Sequence, residues 1–130
     1  MKRVSILFFG LIMGVALLAQ SPVMTFEKTT HDFEKIKEQD GLATKKFEFK
    51  NTGDAPLIIN RVHASCGCTA TSWTKEPVLP GKTGSITASY NPANRPGVFV
   101  KTITVYTNAD SKPVQLTIKG DVIPKPAVPQ

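Results

Sequence analysis

The sequence predicts an all-β domain. Apolar and polar residues alternate in many short stretches, and no stretch places apolar residues at the spacing of an amphipathic helix. Turn-forming residues, among them 10 prolines and 9 glycines, separate the alternating stretches at intervals of about ten residues. This pattern is typical of an immunoglobulin-like antiparallel β-sandwich of about seven strands, with a small barrel as the alternative.

The length and composition indicate one globular domain. The 130 residues suit a single core, and a hydrophobic fraction of 41% is too high for a disordered chain. A multidomain enzyme is therefore excluded. We place the domain at residues 20–123. Residues 124–130 carry three prolines and are predicted to be an extended, mobile tail.

Residues 1–19 are predicted to be a secretory signal peptide. Lys2 and Arg3 precede an apolar run from Val4 to Ala19, and cleavage after Ala19 leaves a small residue at the cut. The alternative is a transmembrane anchor, but such a helix needs roughly 20 apolar residues and this run is shorter. Neither cysteine lies near the cut, so we expect a periplasmic or secreted protein without a lipid or a stable membrane anchor.

Export and charge together argue against nucleic acid as a partner. Without Lys2 and Arg3 the chain has 14 basic and 10 acidic side chains, a net charge of +4. The basic residues are scattered, with few aromatic residues between them, which is typical of solvated strand faces. An unidentified component of the cell envelope is the partner that the predicted location implies.

Met24 and Phe26 mark the beginning of the first predicted strand. Phe33 follows at an odd spacing, so a break near residues 29–31 is needed to return it to the core face. The second predicted strand is centred on residues 47–49, where phenylalanine alternates with glutamate. Both stretches therefore read as half-buried strands.

A turn is predicted at residues 51–54, where asparagine and glycine tolerate positive φ. The third strand runs from Leu57 to Ala64, and because its first residues are apolar on both faces we predict a central strand. A short fourth segment contains Val78. After it, Pro80 and Gly81 fit the middle of a type II turn.

The last three predicted strands show the clearest alternation. Turns rich in proline, glycine or asparagine at residues 92–97 and 108–113 separate them. Their core-facing residues are predicted to be Ile86, Ala88 and Tyr90, then Phe99, Ile103 and Val105, then Val114, Leu116 and Ile118.

Cys66-Gly67-Cys68 is the motif with the most distinctive chemistry. In an oxidising compartment a cysteine pair tends to become a disulfide. In a straight strand the two Cα atoms would lie about 6.6 to 6.8 Å apart with parallel side chains, too far for a bridge. A disulfide therefore requires a sharp bend at Gly67, which glycine allows because it tolerates positive φ.

The residues leave three interpretations of the pair open. The first is a small structural or redox-labile disulfide between Cys66 and Cys68. The second is a soft-metal site whose two thiolates favour Cu(I); His63 adds a ligand only if the strand bends, because alternation puts it on the opposite face from Cys66. The third is two free cysteines buried at the end of the sandwich. The main expectation is that the protein has no cofactor, and Cu(I) is the alternative.

No catalytic motif was found in the sequence, which lacks both the G-x-S-x-G elbow and the H-E-x-x-H helix. Trp73, the single tryptophan, is predicted to pack beside the loop after the cysteines, with an exposed binding anchor as the alternative.

The leading prediction is a non-enzymatic exported module that binds an envelope component through a free edge strand or a loop end. The alternative is thiol-based redox exchange or Cu(I) handling by Cys66 and Cys68.

Short motifs stand in five segments of the chain: His31–Phe33, Phe49–Ile59, Ser65–Thr69, Leu79–Lys82 and Gly97–Lys101. Together they resemble the exported bacterial family called domain of unknown function 1573. The resemblance covers about residues 26–122, and the chain departs from it at Glu34, where the family often has glycine. It implies an exported immunoglobulin-like domain of the group that includes Hydin-type and major-sperm-protein-like modules, which act mostly as scaffolds and interaction domains. It implies no activity.

Overall fold

The structure is a computed structural model that describes residues 20–109 and 112–127. The predicted signal peptide (1–19), the end of the predicted tail (128–130) and two residues of a predicted turn (110–111) lie outside the described residues. Within the described ranges, the structure contains no helix with the length and apolar character needed to cross a membrane.

The described residues form eight strands in two four-stranded sheets. The first sheet has the order β1-β3-β6-β5 and the second has the order β2-β8-β7-β4. The predicted all-β sandwich is confirmed, with eight strands where about seven were expected. The strands are β1 (Met24–Phe26), β2 (Thr30–Lys37), β3 (Ala43–Asn51), β4 (Ile59–Ala64), β5 (Thr69–Trp73), β6 (Thr83–Tyr90), β7 (Gly97–Thr107) and β8 (Val114–Ile123), with a 3₁₀ turn at Glu38–Asp40.

The predicted break after the first strand is where the chain changes sheets. β1 ends at Phe26 in the first sheet and β2 begins at Thr30 in the second. β2 pairs with β8 in parallel, whereas the other strand pairs are antiparallel. The expectation of a fully antiparallel sandwich was therefore wrong for this pair. The three residues between β1 and β2 therefore connect the two sheets and do not form a hairpin within one sheet.

β4 is an edge strand, so the prediction of a central strand from Leu57 to Ala64 was wrong. The regular pairing starts at Ile59, and Leu57 instead makes a single bridge with Val78, with both backbone N–H···O distances below 3 Å. Leu57 is fully buried while Ile58 is 39% exposed. The apolar run thus reflects a buried bridge followed by an exposed isoleucine, not a strand covered on both faces.

β5 was not predicted from the sequence. Its residues are Thr-Ala-Thr-Ser-Trp, which lack the large apolar side chains at alternate positions that mark a half-buried strand. Register with β6 nevertheless runs without a break from Thr69 opposite Tyr90 to Trp73 opposite Ile86. Tertiary pairing with β6 therefore decides its conformation.

The core lies between the two sheets. Phe49, Ile86 and Tyr90 enter it from the first sheet, and Ile103 and Leu116 from the second; each is at most 2% exposed. The predicted alternation of the last three strands is confirmed, with Val114 only partly buried. The predicted turn at Pro80-Gly81 is also present: Gly81 has φ of 79° and Lys82 N–H donates to Leu79 O at 2.9 Å.

Asn51 explains much of the turn predicted at residues 51–54. Its side chain is fully buried, and its Oδ1 accepts the N–H groups of Val23 and Gly53. Its Nδ2 donates to the carbonyls of Ala55 at 2.7 Å and Val78 at 2.9 Å. All four hydrogen-bonding positions of this buried amide are therefore satisfied by backbone groups.

Candidate functional site

The Cys66-Gly67-Cys68 turn carries the chain from the second sheet to the first. Ser65 makes the last contact with β7: its N–H donates to Thr102 O at 2.9 Å, and its Oγ accepts Thr102 N–H at 3.1 Å. Thr69 N–H then donates to Cys66 O at 3.3 Å and closes a tight turn. In the structure Cys66 and Cys68 are joined as a disulfide, with Cα atoms 5.3 Å apart.

The turn forms the bend that the sequence requires for a disulfide, but Gly67 does not use positive φ. The positive-φ glycines of the described chain are Gly41, Gly81 and Gly97. A Cβ atom added to Gly67 would meet nothing within 4 Å. The reason inferred for glycine at this position was therefore wrong, because the turn geometry is open to other residues.

The two sulfur atoms differ in accessibility. Cys68 is 8% exposed and belongs to the core, whereas Cys66 is only partly buried and packs against its edge. Cys68 N–H also donates to Cys66 Sγ at 3.1 Å. A reagent in solution therefore reaches the disulfide from the Cys66 side.

His63 lies on the exposed face of β4, opposite Thr104 of β7. Among residues 20–109 and 112–127, no three histidine, cysteine or carboxylate side chains lie close enough together to hold a metal ion. The structure therefore does not bring His63 to the two cysteines. The oxidation state of the pair in solution, and Cu(I) binding by the reduced thiols, stay predictions.

Titratable groups with a displaced pKa are dispersed over different elements. Burial, followed by the charge of Lys45, lowers the pKa of His31 on β2. Burial raises the pKa of Tyr90 on β6. The backbone N–H groups of Lys125 and Asn94 lower the pKa of Glu38 in the 3₁₀ turn. Such dispersed shifts are typical of structural contacts rather than of a catalytic cluster.

Three of the four sheet edges carry features that block the addition of another strand. β1 has only three residues. β2 is interrupted between Asp32 and Lys35, where Glu34 adopts a left-handed φ of 60°. β4 contains a bulge at Asn60 and carries the charged Arg61 beside it. Short length, bulges and charges are the usual protections of an edge.

The β5 edge has none of these protections. Thr69–Trp73 contains no proline, glycine or charged residue, and its pairing with β6 has no bulge. Cys68 O accepts Asn91 N–H, and Thr74 N–H donates to Ser85 O, at the two ends of the strand. By antiparallel alternation Ala70 and Ser72 also face β6, so Thr71 and Trp73 direct their backbone N–H and C=O groups away from the sheet.

Trp73 stands at the end of this open edge. It is partly buried against the core. The loop predicted after the cysteines is strand β5, and Trp73 lies at the end of that strand away from the disulfide. One face of its indole ring is covered by Lys75, whose Nζ lies 3.0 Å from the ring centroid. The chain therefore places an aromatic ring and a cation together beside unpaired backbone groups.

A second surface feature is a groove of about 380 Å³ on the outer face of the second sheet. Val98 and Val100 flank it and are 80% and 60% exposed. Asp32, Lys119 and Asp121 surround these valines with charges of both signs. The groove offers a small apolar contact, but no single charge that would select a ligand.

Comparisons with solved structures give the same fold. A protein of unknown function from Porphyromonas gingivalis W83 has a TM-score of 0.69 at 18% identity, covering 83% of this chain and 51% of that one. The secreted serine protease VesC from Vibrio cholerae has a TM-score of 0.57 at 13% identity, covering 76% and 23%. The Pseudomonas aeruginosa CupB2 chaperone has a TM-score of 0.54 at 10% identity, covering 75% and 55%.

This chain thus spans about half of the first of these structures and less than a quarter of the protease. No curated protein matches the sequence. A family model described as "Protein of unknown function (DUF1573)" matches residues 24–122, from the start of β1 almost to the end of β8. The match covers the sandwich and includes both the disulfide turn and the open β5 edge. The chain therefore belongs to the DUF1573 family.

Proposed function

We propose that the protein is an exported, non-enzymatic immunoglobulin-like module that binds another component of the cell envelope. The observation that carries the proposal is the contrast between the edges: β1, β2 and β4 are protected, whereas β5 is regular, uncharged and open. An open edge is a common route to binding, because an added strand satisfies its unpaired backbone groups.

Export is supported by the sequence and by the disulfide turn. Lys2, Arg3 and the apolar run up to Ala19 have the composition of a signal peptide. A disulfide between Cys66 and Cys68 suits an oxidising compartment such as the periplasm or the exterior. The same fold occurs within a secreted protease and a chaperone, which is compatible with a binding role outside the cytoplasm.

Site-specific photocrosslinking tests this proposal. The full chain, with its own leader, is expressed in a bacterium with a cell envelope, carrying a photoreactive residue at Ser72 on β5, at Val100 in the groove or at Thr44 on β3. We expect export and a discrete crosslinked partner from Ser72, retained in the Cys66→Ser, Cys68→Ser double variant. Failure of export, or the absence of a discrete partner at all three positions, would contradict the proposal.

Thiol–disulfide exchange is the second candidate function, favoured by the accessible position of Cys66. An external thiolate would attack Cys66 Sγ to form a mixed disulfide, breaking the bond to Cys68 and leaving Cys68 as a thiolate that takes up a proton. Because Cys68 is only 8% exposed, its charged form would have to develop in the core, which burial disfavours. The geometry therefore supports binding better than exchange.

A further inference from the structure

The basic excess of the chain is confined to one part of the fold. Residues 55–109, which contain β4 to β7, have five basic side chains and a single acidic one, Glu76. The rest of the chain after residue 19 has nine basic and nine acidic side chains. The whole net charge of residues 20–130 therefore belongs to the segment that contains the open edge. The five basic residues are Arg61, Lys75, Lys82, Arg95 and Lys101.

One of these cations lies beside β5. Lys75 is exposed and comes two residues after the end of the strand, where its ammonium group covers Trp73. Arg61 is exposed on β4, the edge strand of the other sheet, but its guanidinium stacks on Tyr106 on the outer face of that sheet, because the next residue, Val62, points into the core. β4 to β7 form the side of the sandwich that contains the open edge, and the net charge of +4 of residues 55–109 makes the field on this side positive.

Backbone geometry and charge thus select the same kind of partner. The outward N–H and C=O groups of Thr71 and Trp73 match an extended chain about 4.8 Å away. The positive charge on this side of the sandwich favours a chain with acidic residues. We propose that β5 takes an extended acidic segment of a partner polypeptide as an added strand, with a carboxylate beside Lys75. This inference rests on the proposed function and specifies its partner.

A second copy of this chain is a poorer occupant of the same edge. Pairing of β5 with β5 would bring together two sides of the sandwich that each carry the net charge of +4 of residues 55–109. The net interaction between the two basic surfaces is repulsive. Dimerisation through β5 is therefore an outcome that the test must distinguish.

Three synthetic peptides of nine residues provide the probes, added to the mature full-length domain. The first peptide has two glutamates at each end and alternating valine and threonine between them. The second peptide has lysines in place of the glutamates. The third is the acidic peptide with a proline at its centre. Binding is followed by the fluorescence of Trp73, the single tryptophan. Backbone hydrogen exchange locates the bound peptide.

We expect the acidic peptide to bind at least tenfold more tightly than the basic one at low salt, with the difference shrinking as salt screens the charges. It should protect the amides of Thr71 and Trp73, and the proline-containing peptide should bind much more weakly because it lacks a central N–H. Equal binding of acidic and basic peptides, no binding of the acidic peptide, or protection elsewhere than β5 would overturn the inference.

Variants separate charge from folding. Lys75→Glu is expected to weaken binding of the acidic peptide severalfold, whereas Lys50→Glu makes the same charge change on exposed β3, paired with β1 at the far side of the sheet, and should leave it unchanged. Thr71→Pro should abolish protection at β5 by removing an outward N–H; Thr71→Ala is its control.

A dimer of the domain alone, with protected β5 amides, would assign the edge to a second copy and overturn the inference. If Ser72 gives crosslinks but the acidic peptide binds no more tightly than the basic one, the proposed function is retained and the acidic partner is rejected. The absence of a discrete partner at every photocrosslinking position, by contrast, would remove the proposed function itself.

Discussion

The ring of Phe99 stacks on the ring of Tyr90 across the two sheets, with centroids 3.9 Å apart and an interplanar angle of 11°. Tyr90 is 2% exposed and Phe99 6% exposed, so the pair joins β6 to β7 inside the core. On β8, a Cβ atom built on Gly120 would lie 2.8 Å from Phe99 Cε1. The ring is therefore confined from both sheets.

This confinement predicts two losses of stability. Phe99→Ala should lower the free energy of unfolding by about 3–5 kcal/mol, because it removes a buried ring and leaves a cavity. Gly120→Ala should lower it by about 1–3 kcal/mol, because the new methyl group overlaps the ring. Urea denaturation measures both changes. A neutral Gly120→Ala would mean that Phe99 moves aside freely, contrary to its stacked position.

Glu34 predicts a gain in stability. It adopts a left-handed φ of 60° in the middle of β2, while its N–H donates to Asp32 Oδ1 at 2.7 Å. A non-glycine residue in this region is strained by about 1–2 kcal/mol, of which the greater flexibility of unfolded glycine offsets a part. Glu34→Gly should therefore raise the free energy of unfolding by up to about 1 kcal/mol. Glu34→Ala, which keeps the strain and removes the carboxylate, is the control, and equal stability of the two variants would refute the strain argument.

The sequence was sufficient for the parts of the fold that depend on local patterns. Alternation identified the core faces around Phe47, Ile86 and Leu116, because each of these strands buries one face against the opposite sheet. The departure at Glu34 also marked a real backbone feature, since a position where glycine is common is one that tolerates positive φ.

Features that depend on distant partners were missed. The conformation of β5 depends on its pairing with β6, and Thr69–Trp73 carries only the weak strand propensity of two threonines and a tryptophan. The parallel pairing of β2 with β8 joins residues more than 80 positions apart, such as Thr30 and Thr117, which local periodicity does not encode. The open edge, the central feature of the candidate site, follows only from knowing which strands have neighbours on both sides.

The buried amide of Asn51 predicts a large effect at a polar position. Asn51→Ala should lower the free energy of unfolding by about 1–3 kcal/mol, because it leaves the buried carbonyl of Val78 and other backbone groups without a partner. Asn60→Ala, at the exposed bulge of β4, is the control and should change stability by less than about 0.5 kcal/mol. Thermal and urea denaturation of both variants decide the point, and similar losses in the two would contradict the assigned role.

The disulfide turn predicts unequal effects of its two cysteines. Either alanine substitution removes the bridge, which closes so small a loop that its loss should cost only about 1–2 kcal/mol. Cys68→Ala should cost more than Cys66→Ala, because it also removes a sulfur that is only 8% exposed. Unfolding by urea under oxidising conditions compares the two. Gly67→Ala, whose Cβ points into open space, keeps the bridge and should be nearly neutral. Equal losses from the two cysteine variants would indicate that Cys68 is not packed in the core.

Glu38 predicts how stability depends on pH. Its Oε2 accepts Lys125 N–H at 2.8 Å and its Oε1 accepts Asn94 N–H at 3.0 Å, so it joins the 3₁₀ turn to the loop before β7 and to the segment after β8. These bonds lower the pKa of Glu38 in the folded state, with Lys125 as the larger cause. A carboxylate whose pKa falls on folding stabilises the fold above its unfolded pKa, and this contribution is lost as the pH falls through the folded pKa. Wild type should therefore melt at a higher temperature than Glu38→Gln at pH 7, and this difference in melting temperature should disappear in acid.

The control is Glu76→Gln, which removes an exposed charge that accepts no backbone hydrogen bond among residues 20–109 and 112–127. It should show no such difference from wild type. A difference between wild type and Glu38→Gln that stays constant from pH 7 to pH 3 would show that the ionised carboxylate does not hold these segments together.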